Sequence, residues 1–198
     1  MNSTAALHAV ADDPIDRARA MVAVADLLTA LGYDATDEHL IDTPRRVVDA
    51  LIDMTASEPF VMTTFANEEG YDEPVAVRGI RFTSLCEHHL LPFRGEVDVA
   101  YVPGSRLVGL SKLARVVERH ARRLQVQERM TVQIADELED ALAPRGVAVV
   151  VRAEHLCMSI RGVRTPDAET RTTAFRGVFQ SDPELRGALR PDGPGRMS

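Results

Sequence analysis

The chain has 198 residues, 45% hydrophobic and 27% charged, with a formal net charge of −7; this suits a soluble globular domain with a real core. No apolar run approaches the roughly 20 residues of a membrane span, and the acidic balance argues against a general nucleic-acid binder. Residues 1–13 lack a basic stretch followed by an apolar one, so they do not read as a secretory leader; a cytoplasmic protein with reduced thiols is expected.

Taken in order, residues 1–13 are expected to be disordered. Asp13 can cap a helix with Pro14 in its first turn. Met21, Leu27, Leu28 and Leu31 give that helix an apolar stripe, and Gly32 ends it. Thr43-Pro44 marks a second start, with Val47, Leu51 and Met54 as the buried stripe. Its first turn carries Arg45 and Arg46, where the helix dipole favours acids. Arginines there either reach for an anion or form an ordinary exposed pair. Residues 57–71 read as a connection and 74–82 as rich in strand formers. Residues 95–102 alternate, with Val97, Val99 and Tyr101 on one face and Glu96 and Asp98 on the other, as a half-buried antiparallel strand does. Pro103-Gly104 is a turn.

Ser111 is placed to cap a helix with Leu113, Val116, Val117, His120 and Leu124 on its inner side. Met130, Ile134, Leu138 and Leu142 mark a further helix, ending near Pro144-Arg145-Gly146. Two neighbouring helices on one side of a sheet are implied. Residues 146–158 read as a long β-branched strand, with Val147, Val149, Val151, Ala153, His155 and Cys157 on one face. Residues 161–164 turn away, and 170–179 have strand character. Residues 180–198, with three prolines and three glycines, read as a loose tail. The domain reading is a tail at 1–13, one domain over 14–180 (helices at 14–56, a core at 73–180) and a tail at 181–198.

The chemistry concentrates in Cys86-Glu87-His88-His89 and His155-Leu156-Cys157, which hold both cysteines and three of the six histidines. Cys86 and His89 have C-x-x-H spacing, a common way for a tight turn to offer two ligands to one zinc ion. Cys157 can supply a third. Three protein ligands and one open position describe a catalytic zinc rather than a structural one. His88 and His155 then read as proton carriers beside the metal. Taken singly, a cysteine is usually a small buried hydrophobe and a histidine an ordinary surface or core residue. It is their combination that points to a site.

A second signal is local charge. Residues 106–129 carry seven cations against two acids, and Lys112 is the only lysine beside twenty-two arginines. For most of these arginines a solvated, salt-bridged helix face is the simpler reading. Ser111, Lys112 and Arg115, however, gather at a helix N-terminus, where free N–H groups and the dipole already favour an anion. That makes a phosphate site.

The chain at this point resembles GTP cyclohydrolase I, the zinc enzyme that opens the pterin pathway. The resemblance covers residues 27–179. It is carried by Thr43-Pro44-Arg45-Arg46, Ser84-Leu85-Cys86-Glu87-His88-His89, Gly109-Leu110-Ser111-Lys112-Leu113-Ala114-Arg115, Gln125-Val126-Gln127-Glu128-Arg129, Glu154-His155-Leu156-Cys157-Met158 and Arg161-Gly162-Val163. It implies an α+β tunnelling fold (T-fold): an antiparallel sheet with two helices on one face, after N-terminal helices. Subunits would join side by side into a β-barrel ring, and two rings of five would stack into a homodecamer with active sites between subunits.

The resemblance also implies roles. Cys86, His89 and Cys157 would hold Zn2+, which activates the water that adds to C8 of GTP. His155 would protonate the imidazole nitrogen as the ring opens, and His88 would assist proton transfers near the metal and ribose. Glu128 would accept from guanine N1–H and the 2-amino group, and Gln127 would help hold the base. Ser111 would act on the ribose or phosphate during the sugar rearrangement. Lys112, Arg115 and Arg161 would grip the triphosphate, with Arg46 reaching it too. Formate would leave and the remainder would close to 7,8-dihydroneopterin triphosphate, feeding folate or pterin synthesis. Thr173 stands where many members carry serine.

Three alternatives are weighed against this. A paralogue could open the GTP ring without completing the pterin. Nitrile reductases of the tunnelling-fold group lack this zinc triad, so the set Cys86, His89, Cys157 argues against them. A non-catalytic zinc protein that binds purine nucleotides would have no need of His88 and His155.

Overall fold

The computed structural model describes residues 15–189, which form two compact units parting after Asp53. In the first, α1 (Arg17–Ala30) is capped by Asp16, whose side chain accepts from the Arg19 N–H at 2.9 Å. The start expected at Asp13-Pro14 lies outside the described residues. The expected stripe on α1 is not a fully buried one, since Leu27 and Leu31 are more than half exposed. The next helix, α2 (Thr43–Thr55), starts at Thr43-Pro44 as expected. Its buried stripe is shifted by one residue: Val48 is buried and Val47 exposed. Arg46 donates to Asp42 at 3.2 Å, and Arg45 to Asp49 at 3.3 Å. These carboxylates, before and within the first turns, offset the unfavourable placement of arginines at the positive dipole end.

The second unit is built on a five-stranded sheet of order β5-β2-β3-β6-β7. Its strands are β2 (Val75–Cys86), β3 (Pro92–Val102), β5 (Leu124–Gln125), β6 (Gly146–His155) and β7 (Glu169–Gly177). All neighbours are antiparallel except the short β5, which runs parallel to the end of β2. Within 57–71, expected to be only a connection, β1 (Thr64–Ala66) pairs with β4 (Arg106–Val108).

Alternation decides which face is which. Val97, Val99 and Tyr101 of β3 and Val147, Val149, Val151 and Ala153 of β6 point to one side, all buried. There they meet Leu113, Val116 and Val117 of α3 (Leu110–Ala121) and Met130, Ile134 and Leu138 of α4 (Gln127–Leu142). Each such side chain contributes about 1.5–3 kcal/mol of burial, so this one interface dominates the core. The two helices on one face of a mostly antiparallel sheet are the arrangement the tunnelling fold implies. Leu124, expected on the inner side of α3, lies beyond that helix in β5 and is 40% exposed.

On the opposite face, Asp98 is buried and takes the Gly79 N–H at 2.8 Å and Arg152 at 2.8 Å. Gly79, at φ 69°, sits in a bulge of β2 between Val77 and Ile80, where an L-residue would be strained. One end of this face is covered by chain that was expected to be loose. After β7 come α6 (Val178–Ser181) and a 3-10 turn (Leu185–Leu189), and Phe179 and Leu189 are buried on Ala100, Val102, Ala148 and Val150. The packed chain therefore runs past residue 180. The rest of the expected tail, and residues 1–13, lie outside the described residues.

Candidate metal centre and its surroundings

β2 ends at Cys86, and the chain reverses in a tight turn. Cys86 N–H donates to the Leu91 carbonyl at 2.9 Å, and the Cys86 carbonyl accepts from His89 and Leu90 at 3.2 and 2.9 Å. Leu90 takes a positive φ of 54° to close the turn. The result places the buried Cys86 Sγ 3.5 Å from His89 Nδ1. A tetrahedral ion with metal–sulfur near ~2.3 Å and metal–nitrogen near ~2.0 Å separates two such atoms by about 3.5 Å.

The third candidate ligand arrives differently from expectation. β6 ends at His155, and residues 156–159 form a helical turn, α5 (Leu156–Ser159). Cys157 therefore does not share a strand face with His155. The turn swings its thiol round instead, and the ligand atoms of Cys86, His89 and Cys157 all lie within 4.8 Å of one another. Burial pushes the Cys157 thiol up, as does the neighbouring Cys86, while the charge of Arg161 pulls the other way. Two thiols and an imidazole at this spacing form a soft, borderline donor set that fits zinc. Both cysteines are free thiols.

His155 faces Phe93, its register partner on β3, with rings stacked at 4.7 Å and 1° between planes. Its Nε2 lies 2.7 Å from Gln127 Oε1. The Gln127 amide nitrogen already donates to the carbonyls of Val151 and Thr170 and to Thr172 Oγ1, at 3.3, 3.0 and 3.1 Å. Its oxygen is thus the acceptor, so His155 carries its proton on Nε2 and leaves Nδ1 as the open nitrogen. Burial holds the His155 pKa below its ordinary value, opposed by the charge of Glu128. Gln127, expected to hold the base, is 1% exposed with its amide committed to internal partners. Its side chain has no donor left for a ligand.

The remaining expected residues are distributed. His88 is exposed, with Nδ1 3.8 Å from Cys86 Sγ and Nε2 3.9 Å from Glu87. Glu128 is exposed in the first turn of α4. Ser111 is not a cap: Gly109 holds that place with extended backbone, and Ser111 is the second residue of α3. Lys112 lies over the Phe60 ring at 5.7 Å. Arg115 is exposed and lines an open groove of about 1260 Å³ with Arg81, Phe82, Arg94, Ala114 and Glu118, a groove that none of the three candidate metal ligands lines. Arg161 is exposed just beyond α5. Arg46 belongs to the first unit, paired with Asp42.

Phe93, Thr131 and Thr172 were not anticipated. Thr131 Oγ1 lies 2.6 Å from Thr172 Oγ1, which in turn holds Gln127. No spacing in the sequence signals these contacts, because each depends on strand register.

Residues 20–190 match the family model described as GTP cyclohydrolase I. Proteins named GTP cyclohydrolase 1 from Rhodopirellula baltica and Mycolicibacterium gilvum are each 49% identical to this chain, covering 88% and 86% of it and 78% and 87% of their own lengths. One of the same name from Aquifex aeolicus is also 49% identical, covering 87% of this chain and 94% of that one.

Proposed function

The chain belongs to the GTP cyclohydrolase I family and converts GTP to 7,8-dihydroneopterin triphosphate with release of formate, and we propose that it does so at a zinc ion held by Cys86, His89 and Cys157. The observation that carries this is the meeting of one imidazole and two thiols from separate parts of the fold within 4.8 Å. A zinc ion with one open position supplies Lewis acidity and lowers the pKa of water.

The protein's own residues divide the rest. His155, neutral and stacked, first accepts at its open Nδ1 the proton released as water adds to C8, and then delivers that proton from Nδ1 to the imidazole nitrogen as the purine ring opens. Gln127 keeps its other nitrogen protonated and its plane fixed. His88, exposed beside Cys86, moves protons nearer the ribose. Glu128 offers two acceptor oxygens to the two adjacent donors of guanine, N1–H and the 2-amino group; adenine lacks that pair. Ser111 serves the ribose or phosphate, and Lys112, Arg115, Arg161 and Arg46 neutralise the triphosphate. Thiolate ligands suit a reducing, cytoplasmic compartment.

Copies of this chain are further proposed to join side by side into rings, as a homodecamer of two pentamers with sites between subunits. Two features support that reading. The side of residues 75–84 of β2 that faces away from β3, and the outer side of β7, have no neighbouring strand among the described residues, and such edges invite pairing. Arg115 also lies in a groove that none of the candidate metal ligands lines, so a neighbouring copy can bring the phosphate and metal groups together.

The test is to purify the protein, quantify bound metal and incubate it with GTP, following formate and the fluorescence of oxidised pterin. Formate with fluorescent pterin, both lost on chelation, is the expected result. Formate without pterin would reassign the chain to ring opening alone. Zinc with neither product would leave a nucleotide-binding protein.

A further inference from the structure

Glu87 sits between the ligands Cys86 and His89 yet is not one of them. Its carboxylate is 15% exposed and meets Arg129 of α4, itself 26% exposed. The contact is two-pronged: one guanidinium nitrogen reaches Oε2, and the other lies 3.5 Å from Oε1. Arg129 uses its Nε on Gln125 Oε1 at 2.9 Å. Gln125 is fully buried and anchored through its amide nitrogen to the His120 carbonyl and Gln133 Oε1, at 3.0 and 2.9 Å. The Glu87 N–H also donates to the Gln125 carbonyl at 3.1 Å. The Glu87 side chain thus ties this turn to α4.

The far end of the tie matters as much. Arg129 stands in the same helical turn as Gln127 and Glu128. Gln127 holds His155, and Glu128 is the residue proposed above to read the base. The geometry points to Glu87 and Arg129 as a positioning pair that fixes the metal-binding turn against the turn carrying Gln127 and Glu128. A planar, bidentate pair resists both sliding and rotation, which a single hydrogen bond does not. This inference rests on the metal-centre reading above.

The test uses full-length Glu87→Gln and Arg129→Lys proteins. Gln keeps the shape and removes the charge; Lys keeps the charge and removes the fork. Arg176→Lys serves as control, since it alters an ion pair with Asp136, at 2.7 Å, elsewhere on α4. Three quantities are read: zinc affinity by competition with a chelating dye, the visible bands of the Co2+-loaded protein, and kcat and KM for GTP. Both variants should bind zinc about 10–100-fold more weakly, the usual scale for partners behind a metal ligand. Their Co2+ bands should shift, and kcat should fall with KM changed less than about threefold. Arg176→Lys should move none of these. Zinc binding within twofold of the parent with unaltered Co2+ bands in both variants would overturn the inference, as would an equal effect in the control. If Glu87→Gln does not fold, Arg129→Lys decides alone. A parent protein that takes up neither ion would overturn the metal-centre reading itself.

Discussion

Replacing Gln127 with alanine separates two roles for that residue. The side chain is 1% exposed and makes four hydrogen bonds, one to His155 at 2.7 Å. Thr172 keeps Thr131 at 2.6 Å when the amide is removed, and carbonyl groups tolerate a lost partner better than N–H groups do. The clear orphan is His155 Nε2–H, at about 1–3 kcal/mol. With the packing lost around the deleted atoms, destabilisation should total about 2–4 kcal/mol. His155 keeps its stack on Phe93 but loses the bond that selects its tautomer. General acid–base catalysis contributes about 10²–10⁴-fold, so a partial loss of about 10–100-fold in kcat is expected. KM for GTP should change less than about threefold, because no donor of Gln127 is free to meet the base. The assay is steady-state formate release with a thermal melt on the same protein. In a His155→Ala background the Gln127→Ala change should lower kcat no further. A tenfold rise in KM with kcat preserved, or losses that multiply in the double variant, would refute the reasoning.

Three further outcomes are expected. Cys157→Ala should abolish both stoichiometric metal and activity, measured by elemental analysis and formate release; an active, metal-free variant would remove the zinc assignment. Burial pushes the Glu137 carboxyl up, but its hydrogen bond with His120 and the charges of His120, Arg119 and Arg123 outweigh burial and hold it below the ordinary value. A carboxyl lowered on folding stabilises the protein above its unfolded pKa, about 4.3, and that contribution is lost as pH falls toward the folded value. Glu137→Gln should therefore flatten the acid side of the stability–pH curve, followed by chemical denaturation between about pH 3 and pH 6; an unchanged slope would refute it. A Cβ on Gly95 would lie 1.9 Å from the Arg152 carbonyl oxygen, so Gly95→Ala should cost about 3 kcal/mol or more, read as a large fall in melting temperature.

What could be read before folding was whatever depends on short spacing. Val97, Val99 and Tyr101 declared a strand face by alternation, and the helix-facing side of the sheet holds them. Cys86 and His89 are three residues apart, so one turn joins them. Cys157 showed the limit of that logic: it was expected to share a strand face with His155, whereas the strand ends at His155 and a helical turn brings the thiol toward Cys86 and His89. Ser111 failed as a cap because Gly109 adopts the extended entry two residues earlier. Gln127 was assigned to the base, whereas register places Val151, Thr170, Thr172 and His155 around its amide. Glu87 and Arg129 stood in plain view within the motifs, but only the parallel pairing of β5 with the end of β2 brings their elements together.

The order in which the three proposed ligands become available bears on biosynthesis. Cys86 and His89 leave the ribosome almost together, and their turn closes through local contacts. Cys157 emerges about seventy residues later, and it is placed only when β3 and β6 have zipped as far as Phe93 and His155, the end of their ladder. Such distant pairing forms late. A nascent chain thus offers an ion two donors and weak retention. On the metal centre proposed above, full affinity would appear only when β3 and β6 pair in the correct register, so metal capture would proofread the sheet: a chain slipped by one residue would present Cys157 elsewhere and let the ion go.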